Sequence, residues 1–401
     1  MKPDHTPIPR YKRTGGMTIL SQGFRPFFLL AGIWSVMVLP VSLLMILGYL
    51  ELPILYDPIS WHVHEMLFGF VSAAVAGFLL TAIPNWTGRL PLHGGSLLML
   101  VSLWLAGRLA VATSVFLGAW PTAIMDTAFL IVLTAVMGRE IVVGRNWRNL
   151  PIVGAVGLLA ALNGYFHVEA GNGAGAENLA IRLAIIVIIA LISLIGGRVV
   201  PSFTHNWLAK RNEAVMPASF GRFDIASIAV TVIALLAWAF SAPDRWSAIV
   251  LTLAAVMNAV RLARWHGHRT LSDPLVFILH VGFSWIPIGL GMLAASMVFG
   301  SIPETGALHA LTIGAMGTMV LAVASRATIG HTGRELVAGA GLTAGYILIT
   351  FAAAARIIAA MDVNFSAPLL FLSAAAWIAA YGLFLFVCGP MLTGKRLPAA
   401  A

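Results

Sequence analysis

The feature that most constrains the fold of this chain is a series of apolar stretches, each about 20 residues long, that recurs along nearly its whole length. A helix needs roughly 20 apolar residues to cross the ~30 Å hydrocarbon core of a bilayer. Hydrophobic residues make up 60% of the sequence and charged residues only 10%, which excludes an ordinary soluble globular protein. We therefore predict an all-α, polytopic membrane helix bundle of about twelve transmembrane helices, with the lipid bilayer as its main partner.

The predicted bundle forms a single membrane domain over residues 25–392. It lies between a basic N-terminal tail, residues 1–24, and a short C-terminal tail, residues 393–401. The N-terminal tail lacks the apolar core and small-residue cleavage site of a signal peptide, so we expect it to be retained. Cys388 is the only cysteine, which excludes an intrachain disulfide and covalent c-type haem. Any haem would therefore be b-type.

Basic residues are concentrated in every second connection between the predicted helices. One such connection carries Arg139, Arg145 and Arg148, whereas the next carries Glu169 and Glu177. Because basic loops stay on the cytoplasmic side, we predict that both termini are cytoplasmic. The net charge of +9 then reflects these loops, and we predict no binding to nucleic acid.

Four histidines fall at one depth near the outer end of the predicted bundle: His62 and His64 in helix 2, His167 in helix 5 and His309 in helix 10. Two residues apart on a helix, His62 and His64 point about 200° away from each other. We predict that His64 and His309 are the axial ligands of a b-type haem, while His62 faces another helix or a second metal. The alternative is a set of histidines that only form hydrogen bonds between helices. Helix 10 has small residues where a flat macrocycle could approach: Gly306, Ala310, Gly314 and Gly317.

Three arginines lie in the outer half of the membrane, where positive charge is otherwise scarce: Arg108, Arg182 and Arg356. Haem propionates are anionic, and the guanidinium group suits a carboxylate. We predict that these arginines bind propionates. The alternative is pairing with Asp126 or Glu65 within the protein.

Glu65 follows His64 directly and is the candidate catalytic group. A carboxylate inside the membrane could transfer protons during a reaction. It could equally support a metal ligand by fixing the orientation of an imidazole. The residues alone do not distinguish these two roles.

A second layer of histidines is predicted at the inner side of the membrane. His280 lies in helix 9, and His205 and His331 lie at the inner ends of helices 6 and 10. Imidazole nitrogens suit copper, so these three residues form a candidate copper site. The alternative for His205 and His331 is ordinary exposure at a helix end.

Seven longer motifs are spread over nearly the whole chain. They are Gly23–Phe28 (GFRPFF), Trp61–Met66 (WHVHEM), Ala82–Arg89 (AIPNWTGR), Gly197–Thr204 (GRVVPSFT), Ile278–His280 (ILH), Leu308–Gly314 (LHALTIG) and Ala327–Arg334 (ATIGHTGR). In these motifs the chain resembles the NnrS family, membrane proteins that contain haem and copper and are associated with denitrification and nitric oxide stress.

The resemblance implies a protein of the bacterial inner membrane that binds nitric oxide. Whether a reductase-like reaction also converts the gas to nitrous oxide, with electrons from a donor such as quinol or a cytochrome, is left open at this point. The family pattern carries histidine at the places of His62, His64, His280, His309 and His331, and arginine more often at the place of His205.

Predicted helix 2 also resembles helix 2 of the catalytic subunits of haem-copper oxidases and nitric oxide reductases, in which a helix 2 histidine pairs with one on helix 10. This similarity supports pairing His64 with His309, although the second histidine expected beside His309 is absent. Two other functions remain open: a membrane transporter or assembly factor without redox turnover, and a haem-based sensor.

Overall fold

Twelve membrane-length helices make up the fold. The computed structural model describes residues 16–173, 175, 178–240, 244–299, 302–361 and 366–398, and in this part of the chain twelve helices are long and apolar enough to cross a membrane, which confirms the predicted fold class. They are α1 Phe24–Ile46, α2 Pro58–Thr87, α3 Gly94–Ala112, α4 Ala119–Val143, α5 Trp147–Gly171, α6 Leu179–Ala209, α7 Arg222–Phe240, α8 Arg245–Ala263, α9 Pro274–Val298, α10 Glu304–His331, α11 Gly339–Met361 and α12 Ser366–Thr393.

Parts of the predicted tails and loops lie outside the described residues. These parts are residues 1–15, residues 399–401 and the loop residue Glu177. The extents of the two tails stay a prediction.

Two helices begin at an aspartate followed by proline. The Asp57 side chain accepts hydrogen bonds from the backbone N–H groups of Ile59 and Ser60, and Asp273 accepts one from Leu275. These bonds satisfy donors that the first helical turn would otherwise leave unpaired, and proline at the first helical position loses nothing by lacking an N–H. The cap at Asp57 fixes where α2 begins, and with it the positions of His62 and His64.

The start of the first helix and the end of the last helix lie together at one end of the bundle. Helix α1 packs against α12, and Nη1 of Arg25 in α1 donates to the carbonyl oxygens of Leu392 and Gly394 at 2.8 Å. This guanidinium satisfies carbonyl groups at the end of α12 that have no helical partner. We call this end of the bundle the terminal end and the other the opposite end. The start of α1 and the end of α12 therefore lie on one side, while the compartment on that side and the placement of the termini stay predictions.

Helices α2 and α10 form the centre of the bundle. In its most apolar window α2 is 78% buried and α10 is 67% buried, whereas the corresponding window of α1 is 33% buried. The outer helices instead expose large apolar side chains, as expected for surfaces that face lipid tails. These two central helices also carry three of the predicted outer-layer histidines: His62 and His64 in α2, and His309 in α10.

Candidate metal centre

A local irregularity follows His64 in α2 and His309 in α10. Residues Glu65–Val71 and Ala310–Gly317 form π-helix, in which each turn holds more residues than an α-helical turn. Such segments are rare and occur frequently at functional sites. Each begins at the residue directly after a histidine, so both central helices change their winding at the depth of the predicted outer layer.

A buried group of polar side chains lies on one face of α2, near the opposite end of the bundle. The Nε2 atom of His64 lies 3.0 Å from Oδ2 of Asp126 in α4 and 3.0 Å from Oδ1 of Asn163 in α5. The Nε2 atom of His167, one helical turn beyond Asn163, also lies 3.0 Å from Oδ2 of Asp126. On the other side of the ring, Nδ1 of His64 lies 3.0 Å from Oε1 of Glu65. All five side chains are at most 5% exposed. We call these residues, together with Arg108, the His64 cluster.

The charges of the His64 cluster balance. Arg108 donates to Oε1 of Glu65 at 2.7 Å and forms an ion pair with Asp126. Both ring nitrogens of His64 face carboxylate oxygens, so in the absence of a metal both carry hydrogen and the ring is cationic. Two cations then face two carboxylates. A buried charge is tolerated only when it is paired in this way.

Aromatic rings close the cluster against water. Tyr56, in the loop before α2, stacks parallel to the His64 ring, and its hydroxyl lies 2.8 Å from Nδ1 of His167. Phe68 and Phe166 pack against His64 from other directions, with ring centroids 5.2 and 4.6 Å away. Burial, with the negative charges of Asp126 and Glu65, raises the pKa of Tyr56 above its ordinary value. The phenol therefore stays protonated. Its hydroxyl can donate to Nδ1 of His167 when that nitrogen is unprotonated, and can accept from it when Nδ1 carries the hydrogen and Nε2 is free for a metal.

The cluster has the donor atoms and spacing of a metal site. One ligand atom from each of His64, Asp126 and His167 lies within 4.8 Å of the other two, and among the described residues these three form the only such group of histidine, cysteine, aspartate or glutamate. Two ligands bound at about 2.0–2.2 Å lie roughly 3.0–3.5 Å apart in common geometries, which agrees with the separations of 3.0 Å from Asp126 to each histidine. Two imidazoles and a carboxylate suit a divalent first-row metal such as copper. These side chains therefore fit a metal ion without rearrangement of the helices.

The opposite face of α2 presents His62 to a second group of side chains. Nδ1 of His62 lies 3.0 Å from the hydroxyl of Ser42 in α1, and this hydroxyl donates its own hydrogen to Val38. The hydroxyl must therefore accept from His62, which leaves Nε2 of His62 as the unprotonated nitrogen. Nδ1 of His309 likewise donates to the backbone oxygen of Thr305 at 2.7 Å. Each histidine thus keeps a lone pair on Nε2.

His62 and His309 also share a charged neighbour. They are close enough for their charges to interact, and Arg356 of α11 acts on both. In the described part of the chain Arg356 has no ion pair with a carboxylate. We call His62, His309 and Arg356 the His309 group. His62 and His64 have different hydrogen-bond partners, as the angular spacing predicted.

The structure differs from the sequence analysis around His64. The predicted partner of His64 was His309, but both nitrogens of His64 are bonded to residues of its own cluster, and His62 is the histidine that acts electrostatically on His309. Gly314 and Gly317, expected to leave room for a macrocycle, are covered by Trp285 and Trp377 respectively. The packing of α3 to α5 beside α2, which sequence spacing does not reveal, decides which neighbours His64 meets.

The three predicted arginines have different partners. Arg108 belongs to the His64 cluster, which is the alternative pairing considered from the sequence. Arg182 lies 3.5 Å from Glu304 and packs over the ring of Trp238. Only Arg356 stays without a carboxylate partner among the described residues, so it is the one of the three that is free to meet an added anion.

The inner histidines do not form a compact cluster within the described residues. The hydroxyl of Thr204 donates to the backbone oxygen of Val200, so it accepts from Nε2 of His280 at 2.8 Å. The buried Nδ1 of His280 has no hydrogen-bond partner. His331 is half-buried and packs against the ring of Phe24, while His205 is exposed. Only His280 has a buried lone pair that could bind a metal.

Sequence reasoning missed Asn163 and Tyr56 and gave Asp126 only a secondary role. Asn163 and Asp126 could have been found by the same rule that singled out the histidines, because any polar side chain inside a membrane is costly and usually has a function. Tyr56 lies in a loop and gave no such signal.

A known protein family matches nearly the whole chain. The family model described as "NnrS protein" matches residues 18–396 of the chain. A search of curated proteins found no match.

Proposed function

The chain belongs to the NnrS family, since the family model covers nearly its whole length, and from this premise we propose that it is a haem- and copper-binding protein of the bacterial inner membrane that handles nitric oxide. Its twelve membrane-length helices agree with such a location. The single observation that supports the proposal most directly is the convergence of His64, Asp126 and His167 in a buried, charge-balanced site.

We assign copper to the His64 cluster. His64 and His167 would bind through Nε2 and Asp126 through Oδ2, the atoms that already converge. When bound, copper supplies a redox-active ion with a coordination position for nitric oxide. In the absence of metal, Nε2 of His64 carries a hydrogen. It must lose this proton before its lone pair can bind the ion, so binding a divalent ion there displaces a proton.

The surrounding residues then position the ligands. Glu65 accepts hydrogen bonds from His64, Arg108 and Trp34, so its two oxygens are already engaged. It fixes the ring of His64 with Nε2 toward Asp126, which is the supporting role rather than the proton-transfer role considered from the sequence. Tyr56 does the same for His167 from the loop side. The aromatic rings packed around His64 keep water away from the site.

We assign haem b to the His309 group. His62 and His309 both have Nδ1 committed as a donor and Nε2 unprotonated, which is the tautomer that binds iron. Arg356 provides a guanidinium for a propionate. This assignment pairs His309 with His62 in place of His64. The electron donor, whether quinol or a cytochrome, stays a prediction.

The test is metal analysis with an optical spectrum of the purified protein and four variants. We expect His64→Ala and His167→Ala to lose copper but to keep the Soret band, and His62→Ala and His309→Ala to lose the Soret band but to keep copper. His93→Ala, a histidine in the loop before α3, is the control and should keep both. Retention of full copper by His64→Ala would exclude the copper assignment, and an unchanged Soret band in both His62→Ala and His309→Ala would exclude the haem assignment.

Nitric oxide addition then separates the functions. A spectral change with nitrous oxide formation under a reductant supports a reductase, whereas a spectral change without nitrous oxide supports a binding protein or a haem-based sensor. Protein that folds but contains neither metal would favour a transporter or assembly factor instead.

A further inference from the structure

A cavity of about 350 Å³ lies away from both histidine groups, at the terminal end of the bundle. Trp86 at the end of α2, Arg148 at the start of α5 and Arg198 of α6 line it, together with the apolar side chains of Ile152 and Ile195. Its volume is in the range of small-molecule sites. Because α2 ends one residue after Trp86 and α5 begins one residue before Arg148, the cavity lies at the depth where lipid headgroups meet the protein.

The cavity is cationic and has no counter-charge in the described residues. Arg148 and Arg198 are close enough for their charges to act on each other, and neither forms an ion pair with a described carboxylate. Nε of Arg198 is buried and has no hydrogen-bond partner. Two like charges beside an unpaired buried donor are unfavourable, and an anion between them would relieve both costs.

The guanidinium of Arg198 is held in place by a chain of hydrogen bonds. Its Nη1 donates to Oδ1 of Asn149 at 3.0 Å, Nδ2 of Asn149 donates to Oδ1 of Asn146 at 2.9 Å, and Nδ2 of Asn146 donates to the backbone oxygen of Trp86 at 2.6 Å. The ring of Phe220 packs against the same guanidinium, 5.2 Å from its carbon atom. The chain joins α2, α5 and α6, so Arg198 is oriented before any ligand arrives.

We propose that this cavity binds a phosphate group, supplied by the headgroup of an anionic phospholipid. A phosphate has oxygens in several directions and can accept from two guanidinium groups that approach from different helices. Basic pockets between transmembrane helices bind anionic headgroups in this way. The side chains of Ile152 and Ile195 would contact the first carbons of the acyl chains. A soluble phosphate compound offers the same recognition chemistry, and the experiment distinguishes the two sources.

The test is native mass spectrometry of the purified full-length protein in detergent. Short-chain phosphatidylglycerol is titrated into the wild type and into the double variant Arg148→Gln/Arg198→Gln. We expect one additional phosphatidylglycerol on the wild type and an affinity weaker by about tenfold or more in the variant, because two charge-assisted hydrogen-bonding groups are removed. Phosphatidylcholine, which has no net charge, should bind both proteins equally.

The matched control is Arg139→Gln/Arg222→Gln, which removes the same charge from exposed positions at the ends of α4 and α7. It should bind phosphatidylglycerol like the wild type. If the double variant does not fold, Arg198→Lys keeps the charge but not the bidentate geometry and should still weaken binding.

Three outcomes decide the proposal. Equal phosphatidylglycerol affinity in the wild type and the cavity variant would overturn it. Binding of inorganic phosphate that depends on Arg148 and Arg198, without phosphatidylglycerol binding, would keep the phosphate site but overturn the lipid source. Binding of neither probe by the wild type would overturn both.

Discussion

At the scale of single residues, the His64 cluster depends on the matching of buried charges. Arg108 faces Glu65 and Asp126 at once, and all three are at most 4% exposed. Removing one partner from a buried ion pair leaves an uncompensated charge in a low-dielectric environment. The energetic role of Arg108 is therefore larger than that of any arginine at the surface.

We predict that Arg108→Met destabilises the protein by roughly 3–5 kcal/mol, because it leaves two carboxylates facing a single cationic histidine. The measurement is the free energy of unfolding in mixed micelles, followed by circular dichroism. The control is Arg89→Gln, which breaks an ion pair with Glu140 whose side chains are 36% and 22% exposed, and which should cost about 1 kcal/mol or less. Similar losses in the two variants would contradict the description of the cluster as a buried, balanced network.

At the scale of helices, α2 and α10 share a sequence of local features: a histidine, a π-helical segment and a glycine at the same spacing. His64 and His309 are each followed by a π-helical segment, and each is followed five residues later by a glycine, Gly69 and Gly314. A side chain at Gly69 would lie 2.6 Å from Nε1 of Trp34 and 2.9 Å from Glu65 and Arg108. The absence of a side chain there lets Trp34 and Arg108 reach Glu65.

We predict that Gly69→Ala destabilises the protein by about 1–3 kcal/mol and lowers its copper content, because the added methyl group separates these partners. The measurements are thermal unfolding and metal analysis of the purified variant. Gly154→Ala is the control, since a side chain at Gly154 in α5 would meet no atom within 4 Å. Alanine favours helix over glycine by up to ~1 kcal/mol, so the control should be as stable as the wild type or more so. Normal copper content in Gly69→Ala would argue against this role of the glycine.

At the scale of the whole molecule, the two histidine groups lie on different faces of one central helix. The His64 cluster joins α2 to α3, α4 and α5. On the other face, His62 is bonded to α1 and interacts electrostatically with His309 of α10, and Arg356 of α11 acts on both. Both groups lie near the opposite end of the bundle. The side of the membrane on which the terminal end lies therefore decides from which compartment each proposed metal site is reached.

We predict that the termini, and with them the terminal end of the bundle, are cytoplasmic, because the basic connections lie at that end. A green fluorescent protein fused after residue 401 should fluoresce, and an alkaline phosphatase fused there should be inactive. The same reporters inserted after Met361, at the end of α11, should give the reverse result. A fluorescent insertion at Met361 would reverse the predicted orientation and place both histidine groups on the cytoplasmic side.

The sequence by itself determined the class of fold and the depth of the polar residues. The number of helices follows from the length of the apolar stretches, because the thickness of a bilayer sets the length of a span. The depth of His62, His64, His167 and His309 follows from their positions in these stretches, because a helix rises by a fixed distance per residue. The angular spacing along one helix also separated His62 from His64. These inferences need only local geometry.

Only the tertiary structure decided which residues at one depth are neighbours. Asp126, Asn163 and His167 meet His64 because α4 and α5 pack beside one face of α2, while His309 of α10 interacts electrostatically with His62 on the other face. Contacts between helices depend on the packing of side chains such as Gly69, and on the π-helical segments that rotate the residues after each histidine. Neither effect follows from hydrophobic periodicity, which is why the pairing of His64 with His309 was predicted and the His64 cluster was not.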